Sequence, residues 1–126
     1  MMVEKNERPI VAVNLVYITV LTAVALRREN YEFVLYAGVI IAFFILILVR
    51  QRTIRFDHTI LWGLTLWGLA HMAGGNIRVG DGVLYDVQLI PVVLRYDQCV
   101  HFFGFGTATL VCHHLLRPYL RSDITR

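Results

Sequence analysis

The chain has 126 residues, which suits a single domain, and 57% of them are hydrophobic while 17% are charged. Soluble domains carry about 25% charged residues, so this composition excludes an ordinary soluble fold and favours a membrane protein. The net charge is +3 at pH 7, and the basic residues stand in short clusters between apolar runs. This pattern indicates membrane lipids as partners and excludes nucleic acid, since no nucleic-acid motif accompanies the charge.

Four apolar segments predict four membrane-spanning helices within one transmembrane domain. Each approaches or reaches the roughly 17–25 residues that a helix needs to cross the hydrocarbon core. The third segment has Asp57 as its expected N-cap and the pair Gly74-Gly75 as its expected end. The sequence therefore predicts an all-α integral membrane protein, a bundle of four transmembrane helices. The predicted spans cover residues 10–26, 33–49, 56–73 and 96–116.

An alternative concerns the first span. Ala23-Val24-Ala25 resembles the small-residue cleavage site of a secretory signal, in which case this segment is removed. The apolar stretch before it is longer than that of a typical signal, so an uncleaved span is the preferred interpretation.

The loop at residues 74–95 is the one long connection. Gly80-Asp81-Gly82 predicts a turn. Residues 83–94 are apolar again and are interrupted by Pro91, so this stretch is too short to span. The sequence therefore predicts an outward loop that contains an interfacial or re-entrant segment.

Lysine and arginine residues predict the orientation. With four spans, the N-terminus, the second connection and the C-terminal tail share one side of the membrane. That side holds eight of the twelve basic residues: Lys5, Arg8, Arg50, Arg52, Arg55, Arg117, Arg121 and Arg126. The other side holds Arg27, Arg28, Arg78 and Arg95. Both termini are therefore expected to be cytoplasmic, in the cytoplasmic (inner) membrane, with the long loop outside.

The start of the fourth span carries two ionisable side chains, Asp97 and His101, four residues apart. On a helix this spacing places them on one face, and Gly104 and Ala108 continue the same line. Ionisable groups inside a membrane are expensive and need partners, so they indicate a functional site.

The predicted topology supplies those partners. The start of span two, the end of span three and the start of span four lie at the same membrane face, which collects Glu32, Tyr36, His71, Asp97 and His101. Two imidazoles and two carboxylates form a plausible ligand set for a divalent metal such as zinc. The same set can run acid–base chemistry without a metal. We therefore predict Glu32, His71, Asp97 and His101 as metal ligands, and the last three as catalytic residues.

Three functions remain open at this point. A hydrolase or transferase acting on a lipid-linked substrate would use these residues for catalysis. In a non-catalytic subunit or structural protein, Asp97 would cap its helix and form an ion pair with His101, and His71 would bond a backbone carbonyl. A small-solute or proton transporter of this size would need an oligomer. Whether the chain is an enzyme is undecided by sequence, and a homo-oligomer or a membrane-protein partner is compatible with each function.

Two motifs and the loop between them form one pattern: His71-Met72-Ala73-Gly74-Gly75, a loop with Tyr85 and Pro91, and Tyr96-Asp97-xxx-His101-Phe102. This pattern resembles the YjdF-like family of small bacterial and archaeal inner-membrane proteins. The Asp-xxx-His-Phe piece alone is similar to the VanZ-like membrane proteins. The resemblance covers roughly residues 32–116 and places Glu32 where that family has an acidic residue; Asn76 and Leu94-Arg95 depart from its pattern. It implies the same small membrane fold and the same site, but names no reaction.

Overall fold

Four α-helices and one long loop make up the part of the chain that the structure describes. The computed structural model describes residues 5–123, with side chains to residue 120. The helices are α1 (Arg8–Arg27), α2 (Tyr31–Ile54), α3 (His58–Asn76) and α4 (Tyr96–Asp123). In this part of the chain three helices are long and apolar enough to cross a membrane: α1, α2 and residues Tyr96–Leu120 of α4. The prediction of a mostly helical membrane protein is confirmed.

Helix α3 is the centre of the bundle, because it packs against α1, α2 and α4. It is not among the three apolar candidates, since it contains two threonines, two histidines and an asparagine. At 1.5 Å per residue its 19 residues extend roughly 28 Å, close to the thickness of the hydrocarbon core. A helix surrounded by other helices needs fewer apolar residues than one that faces lipid. A fourth span therefore stays a prediction.

Buried polar side chains join α1 to α3. The Asn14 amide donates hydrogen bonds to Thr65 Oγ1 at 2.7 Å and to the carbonyl of Ile10 at 2.9 Å. One turn further along, the Tyr17 hydroxyl lies against Gly68, where a Cβ atom would overlap it. Such small-residue contacts and interhelical hydrogen bonds hold helices together where lipid supplies no hydrophobic driving force.

The connection between α1 and α2 holds the C-terminus of α3. Arg28 donates a hydrogen bond to the carbonyl of Asn76, and the Asn30 amide donates one to the carbonyl of Gly75 at 3.1 Å. The last carbonyls of a helix have no partner within it, and a positive charge there is favourable. We call this end of the bundle, which also carries the long loop, the loop end.

The sequence analysis predicted that Gly74 and Gly75 end α3, but the helix continues through both to Asn76. Both glycines are buried, and aromatic rings occupy the space that their side chains would fill. A Cβ atom at Gly74 would overlap the ring of Tyr85, and one at Gly75 would overlap the ring of Phe33. The pair therefore allows close packing at the loop end.

Residues 77–95, the long loop of the predicted all-α bundle, form two short β-hairpins, which the sequence analysis did not predict. The first pairs β1 (Arg78–Val79) with β2 (Gly82–Val83), and the second pairs β3 (Gln88–Ile90) with β4 (Leu94–Arg95). A 3₁₀ turn at Leu84–Asp86 joins them. Strands of two or three residues are too short to show an alternating pattern in the sequence.

At the opposite end, a single side chain fixes the connection between α2 and α3. The Gln51 amide donates to the carbonyl of Phe56 at 3.0 Å, and its oxygen accepts the Phe56 N–H at 3.1 Å. Asp57 stands at the predicted N-cap position but makes no capping hydrogen bond. Its carboxylate instead lies 3.9 Å from His114 Nδ1 of α4. We call this end, which carries both termini, the terminal end.

Candidate functional site

Four aromatic side chains pack around His71 at the loop end and a fifth, Tyr96, packs on one of them; we call these five the aromatic cluster. Trp67, one turn earlier on α3, stacks on the His71 imidazole with ring centres 5.6 Å apart and planes 19° apart. Rings of α2 and of the 3₁₀ turn approach from other sides, at 5.1–5.9 Å. The imidazole is half-buried and its orientation is fixed by packing. The cluster consists of Phe33, Tyr36, Trp67, Tyr85 and Tyr96.

Among the described residues, one ring nitrogen of His71 makes a hydrogen bond and the other makes none. Its Nδ1 shares a hydrogen bond with the hydroxyl of Tyr85. Its Nε2 makes no hydrogen bond to any other residue within the part of the chain that the structure describes. A tyrosine hydroxyl can donate to Nδ1 or accept from it, so the open nitrogen can be present as N–H or as a lone pair. His71 is therefore suited to both giving and taking a proton.

Tyr85 is held in place by α3 and α4. Its ring lies against Gly74, and its hydroxyl reaches His71 on the same face of α3. Burial raises the pKa of the Tyr85 phenol well above its ordinary value, and the nearby Tyr96 and Asp97 add to the rise. Tyr85 thus stays neutral and protonated at physiological pH, which keeps it available as a hydrogen-bond donor to His71.

The second imidazole, His101, has a fixed tautomer. Its Nδ1 lies 2.7 Å from the backbone carbonyl oxygen of Asp97. A carbonyl can only accept, so Nδ1 carries the proton and donates it. In the neutral ring the lone pair is then on Nε2, which is the nitrogen that can act as a base. The His101 side chain is exposed on the protein surface, and it is close enough to His71 for the two imidazoles to interact electrostatically.

The Asp97 carboxylate interacts with its own neighbours at the start of α4. It accepts the N–H of Gln98 at 2.8 Å and lies 3.5 Å from Arg95 Nε. The predicted ion pair with His101 is absent from the described part of the chain, because His101 bonds the Asp97 carbonyl instead. The negative charge sits in the first turn of α4, where it interacts favourably with the helix dipole. Asp97 therefore positions the start of α4 and, through its carbonyl, orients His101.

Glu32 reaches His71 only indirectly. Its carboxylate accepts a hydrogen bond from the Tyr36 hydroxyl at 2.9 Å, as their four-residue spacing on α2 allows. The Tyr36 ring in turn packs edge-on against His71, and Glu32 lies within electrostatic range of the imidazole. Glu32 thus adds negative charge beside the cluster and is connected to His71 only through Tyr36.

The structure places the four predicted metal ligands at one end of the bundle but does not bring them together as ligands. Among the residues described, no group of three His, Cys, Asp or Glu side chains is placed to hold a metal ion. Each predicted ligand is oriented by another partner: Tyr36 for Glu32, Tyr85 for His71, Arg95 and Gln98 for Asp97, and the Asp97 carbonyl for His101. What the arrangement offers is two imidazoles with open Nε2 atoms.

A groove between α3 and α4 leads to this end. His101, Gly104 and Ala108 line it from α4, as their spacing predicts, and Trp67 and Leu64 line it from α3. Its other lining residues are Phe105 and Thr107. From residue 101 to residue 108 it extends about 10 Å along the helix. The groove is apolar apart from His101 near one end and Thr107 near the other.

A larger apolar cavity lies between α1, α2 and α3. It extends from Glu7 and Gln51 at the terminal end to Trp67. Neither His71 nor His101 lines it. Its size alone does not make it part of the site, because the titratable groups of the loop end do not face it.

Comparison with known families agrees with the fold. A family described as "Predicted membrane protein (DUF2238)" matches residues 9–121. The chain belongs to this family. The DUF2238 match includes almost the whole of the four helices and the long loop, so the site lies entirely inside it. No curated protein and no solved structure matches the chain.

Sequence reasoning did not assign two members of the candidate site, Trp67 and Tyr85. Trp67 precedes His71 by four residues, so helical spacing alone could have predicted the stack. Tyr85 lies in the loop, and its approach to His71 depends on the fold of that loop. The one available signal was Gly74, three residues after His71, which leaves room on the same helix face.

The hydrogen bond between Tyr85 and His71 yields a testable pH dependence. We expect Tyr85→Phe to lower the free energy of unfolding by about 1 kcal/mol at pH 7, because the ring still packs on Gly74 while one hydrogen bond is lost. A phenol with a raised folded-state pKa contributes stability that is complete below the unfolded pKa of about 10 and is lost at higher pH. The advantage of wild type should therefore shrink above pH 10.

Denaturant unfolding at pH 7 and above pH 10 measures this difference. Tyr31→Phe is the control, because Tyr31 is exposed and its substitution should leave the stability at pH 7 unchanged. An unchanged gap between wild type and Tyr85→Phe above pH 10 would show that the Tyr85 proton is not held more tightly in the folded protein.

Proposed function

We propose that the protein is a membrane-embedded acid–base enzyme, a hydrolase or transferase, that acts on a lipid-linked substrate at the loop end. The observation that carries this proposal is the position of His101. Its side chain lines one end of the apolar groove between α3 and α4, and its Nε2 holds the lone pair of the neutral ring. Ionisable groups at membrane depth indicate function, and an imidazole is the side chain best suited to proton transfer near neutral pH.

The substrate class follows from the groove. A length of about 10 Å with apolar walls suits part of a hydrocarbon chain, with the polar portion of the substrate next to His101. The groove lies on α4, which is apolar enough to cross a membrane, so a lipid can enter it sideways from the bilayer. A freely soluble substrate gains nothing from such walls.

We assign the proton transfers to and from the substrate to His101 and a supporting role to His71. His101 Nε2 accepts the proton of the attacking hydroxyl, and this proton then passes to the leaving oxygen of the substrate. With water as the attacking group the reaction is hydrolysis, and with a second alcohol it is transfer. His71, held by Tyr85 and Trp67, supplies the second acid or base nearby. Asp97 acts as a positioning residue and Glu32 as a nearby charge.

The proposal also covers how the chain crosses the membrane. Four spans put both termini and eight basic residues on the cytoplasmic side of the inner membrane, and they put the loop end outside. It also includes the finer family assignment, since the motifs around His71 and Asp97 resemble those of YjdF-like proteins. Both are consistent with the DUF2238 match and with the helix order.

Reconstitution tests the enzyme directly. Purified protein in vesicles of bacterial polar lipid extract is expected to produce a mass change in one lipid class, detected by mass spectrometry of the extracted lipids. His101→Gln and His71→Gln should lose this product. His113→Gln is the matched control, because His113 is exposed on α4 near the terminal end and should retain it.

A second candidate function is structural, in a non-catalytic subunit or a homo-oligomer. It is favoured by the close packing of Phe33 and Tyr85 on Gly75 and Gly74, which ties α2 and the loop to α3. Under this alternative no lipid changes mass, and His71→Gln lowers thermal stability. Under the enzyme proposal His101→Gln keeps wild-type stability, because its side chain is exposed, while the product disappears.

A further inference from the structure

The tip of the second hairpin is apolar and exposed. Residues 89–93 form this tip, which we call the hairpin tip. Val92 is 99% exposed and Val93 71% exposed, and Leu89 and Ile90 are each about half exposed. No charged residue occurs between Asp86 and Arg95. Single exposed apolar residues are normal, but a continuous apolar tip indicates a binding surface.

Backbone conformation at the tip sharpens this observation. The Val93 N–H donates to the Ile90 carbonyl at 3.1 Å, which closes a four-residue turn with Pro91 at its second position. The third position, Val92, has a φ of 63°. Glycine or asparagine is favoured there, and a β-branched residue is sterically costly. Because the Val92 side chain is almost fully exposed, no side-chain packing among the described residues compensates this cost.

The first hairpin of the same loop has a polar tip. Its positive φ of 59° falls on Gly80, and its neighbour is the exposed, charged Asp81. The two hairpins follow each other in one connection and differ mainly in their tips. The apolar tip is therefore a particular property of the second hairpin.

The second hairpin directly precedes α4, and this position indicates what kind of partner its tip contacts. Strand β4 leads directly into Tyr96, the first residue of the membrane-spanning part of α4, and the Tyr96 N–H donates to the Val87 carbonyl at 3.0 Å. Val92 is four residues from Tyr96, so it lies within about 13 Å of the start of the span. Tyrosine and arginine typically mark the membrane–water boundary. The tip thus lies within reach of the lipid headgroups around α4.

We infer that the hairpin tip inserts into the boundary between headgroups and acyl chains of the leaflet at the loop end. The occupant of this surface is lipid, and the apolar side chains of Val92 and Val93 are immersed in it. Burial in lipid supplies the compensation for the strained valine that the protein does not provide. This inference goes beyond the proposed enzyme and holds whether or not the chain is catalytic.

Site-directed fluorescence tests the inference on the full chain in phosphatidylcholine vesicles. Cys99 and Cys112 are replaced by alanine, and an environment-sensitive fluorophore is attached to Val92→Cys or, separately, to Val93→Cys. Asp81→Cys, at the tip of the first hairpin, is the matched control. Two quenchers are compared: phospholipid brominated near the top of its acyl chains, and aqueous iodide.

Insertion predicts that the labels at 92 and 93 lose emission with brominated lipid and keep it with iodide, while the label at 81 does the reverse. Quenching of 92 and 93 by iodide, equal to that of 81, would place the tip in water and overturn the inference. Protection of both positions from both quenchers would also overturn it, since the tip would then be covered by protein, such as a second copy of the chain.

Discussion

Gly75→Ala is expected to lower the free energy of unfolding by about 3 kcal/mol, at the upper end of the cost of overpacking a core. The new methyl group would overlap the ring of Phe33, which is buried and belongs to the same packed group as Met72 and Ala37. Neither side can easily move, because the carbonyl of Gly75 is also bonded to Asn30. Since folded proteins are stable by only about 5–15 kcal/mol, this is a large fraction of the total.

Gly38→Ala is the matched control for this prediction. Gly38 lies on α2, five residues after Phe33, and a Cβ atom there would contact nothing within 4 Å. Alanine is the better helix former, so this variant should be unchanged or more stable by about 0.5–1 kcal/mol. Thermal unfolding in detergent micelles compares the two variants with wild type.

A double variant shows whether the ring is the cause. Phe33→Leu in the Gly75→Ala background removes the overlap, so it should recover part of the lost stability although Phe33→Leu alone is destabilising. Equal stabilities for Gly75→Ala and Gly38→Ala would mean that Phe33 does not pack on α3. The structural basis of the aromatic cluster would then be wrong.

The spacing of residues on single helices was the most informative signal in the sequence. The interval of four between Asp97 and His101, continued by Gly104 and Ala108, predicts one helix face, and three of these residues line one groove. Apolar runs likewise predict helices at the observed places, although α2 and α4 extend past the predicted limits of 49 and 116. Such predictions succeed because helical periodicity is a local property of the chain.

Contacts between distant segments are what the sequence leaves open. Gly74 and Gly75 are compatible with a helix end, and only the approach of Phe33 from α2 and Tyr85 from the loop gives them another role. The partners of Asp97 likewise depend on where the second hairpin delivers Arg95. The sequence therefore predicts that the polar groups lie at one end of the bundle, but it does not predict which of them pair.

Gly104→Ala is expected to disrupt both the packing and the chemistry of the proposed site. A methyl group on Gly104 would overlap the indole of Trp67, and Trp67 in turn stacks on His71 and lines the groove. The indole must move, which releases the imidazole from its fixed orientation. We expect a loss of about 1–3 kcal/mol in the free energy of unfolding. Product formation in vesicles should fall about 100-fold, because small misplacements of catalytic groups have effects of that size.

Gly106→Ala separates these effects from a general change in α4. Gly106 is only two residues away, and a Cβ atom there has no neighbour within 4 Å. Product formation should therefore stay at the wild-type value, and stability should be unchanged or higher by about 0.5–1 kcal/mol, as for Gly38→Ala. If Gly104→Ala is destabilised but forms product at the wild-type rate, the fixed orientation of His71 is not needed for the reaction. His101 alone would then carry the chemistry, and the aromatic cluster would serve only to join α2, the loop and α4 to α3.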